Sequence, residues 1–250
     1  MERSETGAPG IDANKIRLMP TLTDEMRDTA VELGGHTLRL CPERAVHWPD
    51  GATLFIADPH FGKADLFRRR GIPVPHAAAE ADLKRLSSVL QRTGASRLIV
   101  LGDLLHSRPE ESDATVASVA AWRGQRRDIA MHLVRGNHDR HAGPPLDAWG
   151  MTWCDEPCLW EDVPFVLRHH PGDDDRGYVL CGHVHPSVTP VAGTREAMTR
   201  LPCFHATDTA LTLPAFGGFT GTHRIRIEPS ERVFAVAESS VIALPPGLVR

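Results

Sequence analysis

Apolar positions along this chain recur in two periods. Short strand-like runs fall at 53–58 (TLFIAD), 97–103 (RLIVLGD), 130–137 (AMHLVRGN), 164–170 (PFVLRHH) and 177–183 (GYVLCGH), and each stops on a polar residue. Between the first two, AAAEADLKRLSSVLQRTGA sets Leu83, Leu86, Val89 and Leu90 on one helical face and ends at Gly94, a helix stop. Between the next two, SDATVASVAAWRGQRRD carries Val116, Val119, Ala120 and Arg123 at helical spacing, with Ser112 as N-cap and Arg123, Arg126 and Arg127 on an exposed helix end. Strand, helix, strand, helix, strand is the order of a layered α/β sheet. Beyond Gly193 the texture becomes RLPCFHA, ALTLPAF, HRIRIEP and RVFAVAESSVIALPP, short strands broken by Gly, Pro and Thr. These predict a second sheet packed on the first, a sandwich flanked by helices. Residues 1–34 lack sustained periodicity apart from a short helical stretch at TDEMRDTAVEL, and they read as a loosely held extension before a single domain at 35–250.

Composition narrows the function classes. The 250 residues are 41% hydrophobic and 24% charged, globular values that allow a large core in one unit. A formal charge of -4 excludes a uniformly basic nucleic-acid coat, while leaving room for a local basic patch. The opening MERSETGAPGIDANK has no apolar segment of signal type, and no later apolar run is long enough to span a bilayer. The expectation is a cytoplasmic protein without a membrane partner, its five cysteines reduced. CDEPC has no second cysteine pair at zinc-finger spacing, so Cys154 and Cys158 read as structural or incidental thiols.

The strand ends carry the chemistry. In order they present Asp58 and His60 (DPH), Asp103 (GD), Asn137 and His138 (GNHD), His169 and His170 (RHHP), and His183 and His185 (GHVH). One such group is an ordinary turn former; five in succession point to a shared site. Carboxylate oxygens, imidazole nitrogens and an amide oxygen, without thiolates, suit Mn²⁺, Fe or Zn²⁺ in five- or six-coordinate geometry. Two such ions about 3.5–4 Å apart need a bridging carboxylate, and together they activate water and clamp phosphoryl oxygens. Asp103, between the other groups in sequence, is the candidate bridge. Residues two apart on a strand point the same way, which would bring both members of DxH and HxH to one site.

The series D-x-H, G-D, G-N-H-D, H, G-H-x-H resembles the calcineurin-like metallophosphoesterase superfamily. The resemblance implies a two-sheet α/β/β/α metallophosphoesterase sandwich around two divalent transition-metal ions, Mn²⁺ first. It implies Asp58, His60 and His185 on one ion, Asn137, His169 and His183 on the other, Asp103 between them, and His138 as a catalytic histidine that is not a ligand, with Asp139 orienting it. Of the adjacent pair the resemblance selects His169, since the superfamily often shows H-x-P there; strand neighbours point oppositely, so His170 should face away.

Longer strings, TLFIADPHFGKADLFRRRGIPVP, VLGDLLHSR, LVRGNHDRHAG, YVLCGHVHP and LPAFGGFTG, are similar to the bacterial ligase-associated DNA damage response endonucleases, whose genes adjoin those of an ATP-dependent DNA ligase, a helicase and an exonuclease. Pro59 stands where that family usually has an apolar residue, and the GDDDRG loop at 172–177 is more acidic; neither removes a ligand. The residues themselves support phosphoester hydrolysis, and the resemblance makes DNA the substrate and repair the setting. Lys63, Arg68 and Arg69, just past the first ligands, are candidate phosphate contacts, and His106 and His141 lie near the site in sequence. Two other readings stand beside the nuclease: a phosphodiesterase or phosphatase for nucleotide-like small molecules, and a noncatalytic scaffold for repair partners.

Overall fold

A computed structural model describes residues 26–74, 78–108, 113–143, 147–190 and 200–248. The first sheet has seven strands in sequence order: β1 (Thr29–Leu33), β2 (His36–Cys41), β3 (Ala45–Trp48), β4 (Thr53–Ile56), β5 (Arg97–Leu101), β6 (Ala130–Val134) and β7 (Met151–Cys154). Pairing from β1 to β4 is antiparallel, the geometry that tight turns allow. From β4 to β7 it is parallel, because α2 (Ala78–Thr93) and α3 (Asp113–Gly124) carry the chain back between strands. The second, eight-stranded sheet contains β8 (Val166–Leu167), β9 (Val179–Cys181), β10 (Pro186–Val188), β11 (Leu201–Ala206), β12 (Ala210–Thr212), β13 (His223–Arg224), β14 (Arg232–Ala237) and β15 (Ser240–Leu244).

Two cores make this a layered α/β sandwich. Leu38, Phe55, Ile99 and Leu101 of the first sheet interdigitate with Leu180, Phe204, Leu211 and Phe234 of the second. On the other face of the first sheet Leu54, Ile56, Leu98 and Val100 meet Leu83, Leu86, Val89 and Leu90 of α2 and Val119 and Trp122 of α3, as the helical spacing required. The rest of the second sheet buries two small clusters, around Val188 and Cys203 and around Val166 and Cys181, to which no described helix contributes.

Three expectations are corrected. The stretch at TDEMRDTAVEL is not helical over its described part: Thr29–Leu33 is an edge strand whose alternate Val31 and Leu33 are buried against the inter-sheet core. Residues 1–25 of the extension, and Ser112 as N-cap, lie outside the described residues. Arg123 is not on an exposed helix end. It is buried, and its guanidinium donates to the carbonyls of Trp149, Arg126 and Ile129, closing the turn after α3. Cys154 and Cys158 are joined in a disulfide, because β7 and the segment paired to β8 bring their Cα atoms to 6.2 Å. Cys41, Cys181 and Cys203 are buried free thiols, as expected. No helix among the described residues is long and apolar enough to cross a membrane.

Candidate active site

Past their strands the chain turns sharply, and the turns deliver the side chains. Asp58, His60, Asp103, His183 and His185 all adopt positive φ, between 46° and 69°, a conformation that costs energy for residues with a Cβ. Strand alternation therefore does not bring Asp58 and His60 together. β4 ends at Ile56, and left-handed turns aim both side chains inward.

All seven expected ligands converge. Asp58 Oδ1 lies 3.4 Å from His185 Nε2 and 3.8 Å from His169 Nδ1. Asp103 Oδ2 lies 3.7 Å from His60 Nε2 and 3.5 Å from His169 Nε2, so this one oxygen faces both halves of the cluster. Asn137 Oδ1 is 3.0 Å from His169 Nε2, and His183 Nδ1 is 3.0 Å from the same nitrogen. Asp58, His60, Asp103 and His169 are buried, whereas His183 is exposed and His138 and His185 are half-buried, so the cluster opens to solvent on one side.

The donor set fits cations. Asp58 Oδ1 and His60 Nδ1 are buried without a hydrogen-bond partner, an arrangement that is costly unless something else satisfies them. Burial pushes the His60 and His169 imidazoles below their ordinary pKa, which favours their neutral, metal-binding form. Burial, with the Asp58 carboxylate adding to it, pushes Asp103 up. Donor atoms of Asp58, His60 and His185, of Asp58, Asp103 and His169, and of His169, His170 and His183 each gather within 4.8 Å, spacing that ions can close.

Glycines make room for this convergence. A Cβ on Gly102 (φ 84°) would stand 2.0 Å from His169 Nδ1, and one on Gly136 would stand 2.2 Å from Asp103 Oδ1. The glycines of the GD and GNHD motifs are thus needed because ligands from other strands press against them.

The sequence profile of the calcineurin-like phosphoesterases matches residues 52–191, over half the chain, and the matched span holds every one of these residues. The chain belongs to that family. Among solved structures it is similar to the nuclease MPE of Pseudomonas putida, at 36% identity and a TM-score of 0.75, covering 87% of this chain and 100% of that one. The phosphoesterase Yfce of E. coli also matches, at 17% identity and a TM-score of 0.39, covering 76% of this chain and 96% of that one. No curated protein is matched by the sequence. The chain is accordingly a metal-dependent phosphoesterase.

Within this phosphoesterase site two expected roles change. Asp139 does not orient His138. Its carboxylate accepts the N–H groups of Gly136 (2.9 Å), Leu104 (2.9 Å) and Leu105 (3.4 Å), tying the start of α4 (Asn137–Ala142) to the Asp103 turn. The partner of His138 Nδ1 is the carbonyl of His106 at 3.2 Å, with the two rings stacked at 4.9 Å. His170 does not face away. Residues 169 and 170 form a bend rather than a strand, so alternation does not apply, and the His170 ring lies 4.3 Å from that of His183.

Glu156 holds the bend: its carboxylate accepts the N–H groups of His169 (3.0 Å) and His170 (2.8 Å) and contacts His170 Nδ1 at 2.6 Å. A lone Glu inside CDEPC carries no sequence signal for that role. Lys63 begins α1 (Lys63–Arg69) half-buried, its ammonium depressed by burial yet drawn to Asp103 and Asp58. Arg68 is ion-paired to Asp65, which also accepts the Thr115 hydroxyl, and Arg69 is exposed in the last turn. His141 is exposed on α4, while His106 joins His60 and His138 in one group.

Proposed function

We propose that this chain is a dinuclear, manganese-dependent phosphodiesterase that cleaves DNA in the cytoplasm in a repair setting, alongside a DNA ligase, a helicase and an exonuclease. The observation that carries the reading is Asp103 Oδ2, which lies within 3.7 Å of His60 and 3.5 Å of His169 and so faces both halves of the cluster. Similarity to a bacterial nuclease over 87% of the chain supports DNA as substrate, and the strings shared with ligase-associated endonucleases support the partners.

Asp58, His60 and His185 would hold one ion and Asn137, His169 and His183 the other, Asp103 belonging to both. Mn²⁺ fits this oxygen and imidazole set, as do Fe and Zn²⁺. Such a pair supplies positive charge to the phosphoryl oxygens and lowers the pKa of water. His138 serves as the general acid. Donation from Nδ1–H to the His106 carbonyl leaves Nε2 to face the substrate, and a proton on Nε2 goes to the departing oxygen. Lys63, Arg68 and Arg69 of α1 would contact substrate phosphates, Lys63 sharing a pocket with His60 and Arg68 steadied by Asp65. Asp139 acts through the backbone, fixing the helix start that presents His138.

Manganese-loaded protein assayed on a DNA oligonucleotide and on bis(p-nitrophenyl) phosphate tests the reading. His138→Asn should keep both ions and lose roughly 10²–10⁴ in kcat on DNA, with a smaller loss on the p-nitrophenyl ester, whose leaving group needs no proton. Equal losses on both substrates would remove the general-acid role; absence of DNA cleavage by the wild type would remove the nuclease.

A further inference from the structure

Beside the metal ligands a groove lies over the second sheet, on the face of β11 and β12 turned away from the inter-sheet core. The groove, of about 490 Å³, is walled by Val184, the residue between His183 and His185, and by Pro171, the residue after His170, with Arg224 and Arg226 on its rim. The rim is fastened to the centre itself. His185 Nδ1 is 3.0 Å from the Gly221 carbonyl, the His223 N–H donates to the His185 carbonyl (2.9 Å), and β13 pairs in parallel with β10, placing Arg224 opposite Ser187. Ile225 and Ile227 pack into the cluster around Val188 and Cys203, so the alternate residues Arg224 and Arg226 stand out to solvent.

Neither arginine of the rim is neutralised by a described carboxylate, whereas Arg92, Arg97, Arg135 and Arg176 are each paired with one. Asp173, the acidic group that lines the same groove, already accepts the Thr209 hydroxyl at 2.6 Å. Arg224 at the end of β13 and Arg226 two residues on are both exposed, which sets two guanidinium groups side by side on the rim, within the reach of neighbouring phosphates of one strand.

We infer that Arg224 and Arg226 form a phosphate-binding subsite for a polynucleotide strand leaving the metal centre past Val184, contacting phosphates beyond the scissile one. The inference rests on the DNA-cleaving reading above and adds to it the direction of the strand. Neither arginine reaches the reacting atoms, so small diesters should not sense them.

The test is Arg224→Ala/Arg226→Ala, with melting checked against wild type, assayed on bis(p-nitrophenyl) phosphate and on a single-stranded DNA oligonucleotide over a salt series. Hydrolysis of the small diester should stay within about twofold, while KM for DNA rises roughly tenfold or more. The slope of log kcat/KM for DNA against log salt should become shallower by about 1.4, the effect of two lost phosphate contacts on a single strand. Arg224→Lys/Arg226→Lys should restore the slope. Unchanged DNA kinetics would overturn the subsite and leave the arginines as charges that guard a sheet edge; parallel loss on both substrates would overturn it too. A wild type that hydrolyses the small diester but neither binds nor cuts DNA would instead sink the nuclease reading, and the subsite with it.

Discussion

Gly136→Ala isolates the packing that holds Asp103 in place. The Gly136 backbone is extended (φ -88°, ψ -175°), so alanine meets no conformational penalty there, and the whole effect is steric. Its Cβ would stand 2.2 Å from Asp103 Oδ1 and 2.7 Å from Asp103 N, and both sides of that clash are held. Oδ1 accepts the His138 N–H at 2.9 Å, and the Gly136 N–H donates to Asp139. Overpacking of this kind costs about 1–3 kcal/mol. Losing the charged His138 N–H contact adds about 1.5–3 kcal/mol, against which the stiffer unfolded chain returns about 0.4–1 kcal/mol. The net is about 2–5 kcal/mol, or a melting point lower by roughly 5–20 °C for a chain of this size.

Because Asp103 Oδ2 faces both His60 and His169, both ions of the proposed dinuclear site should be lost together. Thermal melts with and without chelator, and metal content by elemental analysis, check this. Gly124→Ala, at the exposed end of α3 with nothing within 4 Å of its Cβ, is the control and should be neutral or slightly stabilising. A Gly136→Ala protein that melts with the wild type and retains two ions would refute the argument that the glycine exists to admit Asp103.

Asp103→Asn should lower affinity for both ions, and retention of one at wild-type affinity would show that it does not bridge. His169→Ala should lose metal and activity, because His169 is fully buried against Asp58, Asp103 and Asn137; His170→Ala, half-buried and tied to Glu156, should lose much less, and the reverse order in metal analysis would exchange their roles. Burial pushes Asp139 up to about 6, above the ordinary 3.8, so metal-free native protein holds that proton through a window in which the unfolded chain has released it. The ionised carboxylate is therefore penalised as pH rises. Measured by denaturant melts, the stability of wild type relative to Asp139→Asn should fall between about pH 4 and pH 6 and then level off, and a flat difference would mean the carboxylate titrates normally.

Legibility in the sequence followed the range of the forces involved. The strands that lead to Asp58, Asp103 and Asn137, and the apolar face of α2, could be read because local periodicity reports which side of an element is buried. The ligand types could be read because metal chemistry constrains residue identity wherever the residue falls. What could not be read depends on neighbours distant in the chain. Val31 and Leu33 form a strand because β2 is there to pair with, and Arg123 is buried because the carbonyls of Trp149 and Ile129 come to it. Asp139 serves the Leu104 turn, 35 residues earlier, instead of the histidine beside it, and Glu156 turns His170 back toward the centre across 14 residues. Sequence by itself determined which side chains could bind metal and roughly where strands would offer them. Tertiary structure decided the aim of each, since left-handed turns, close glycine contacts and long-range carboxylate anchors form only when the two sheets and their turns assemble together.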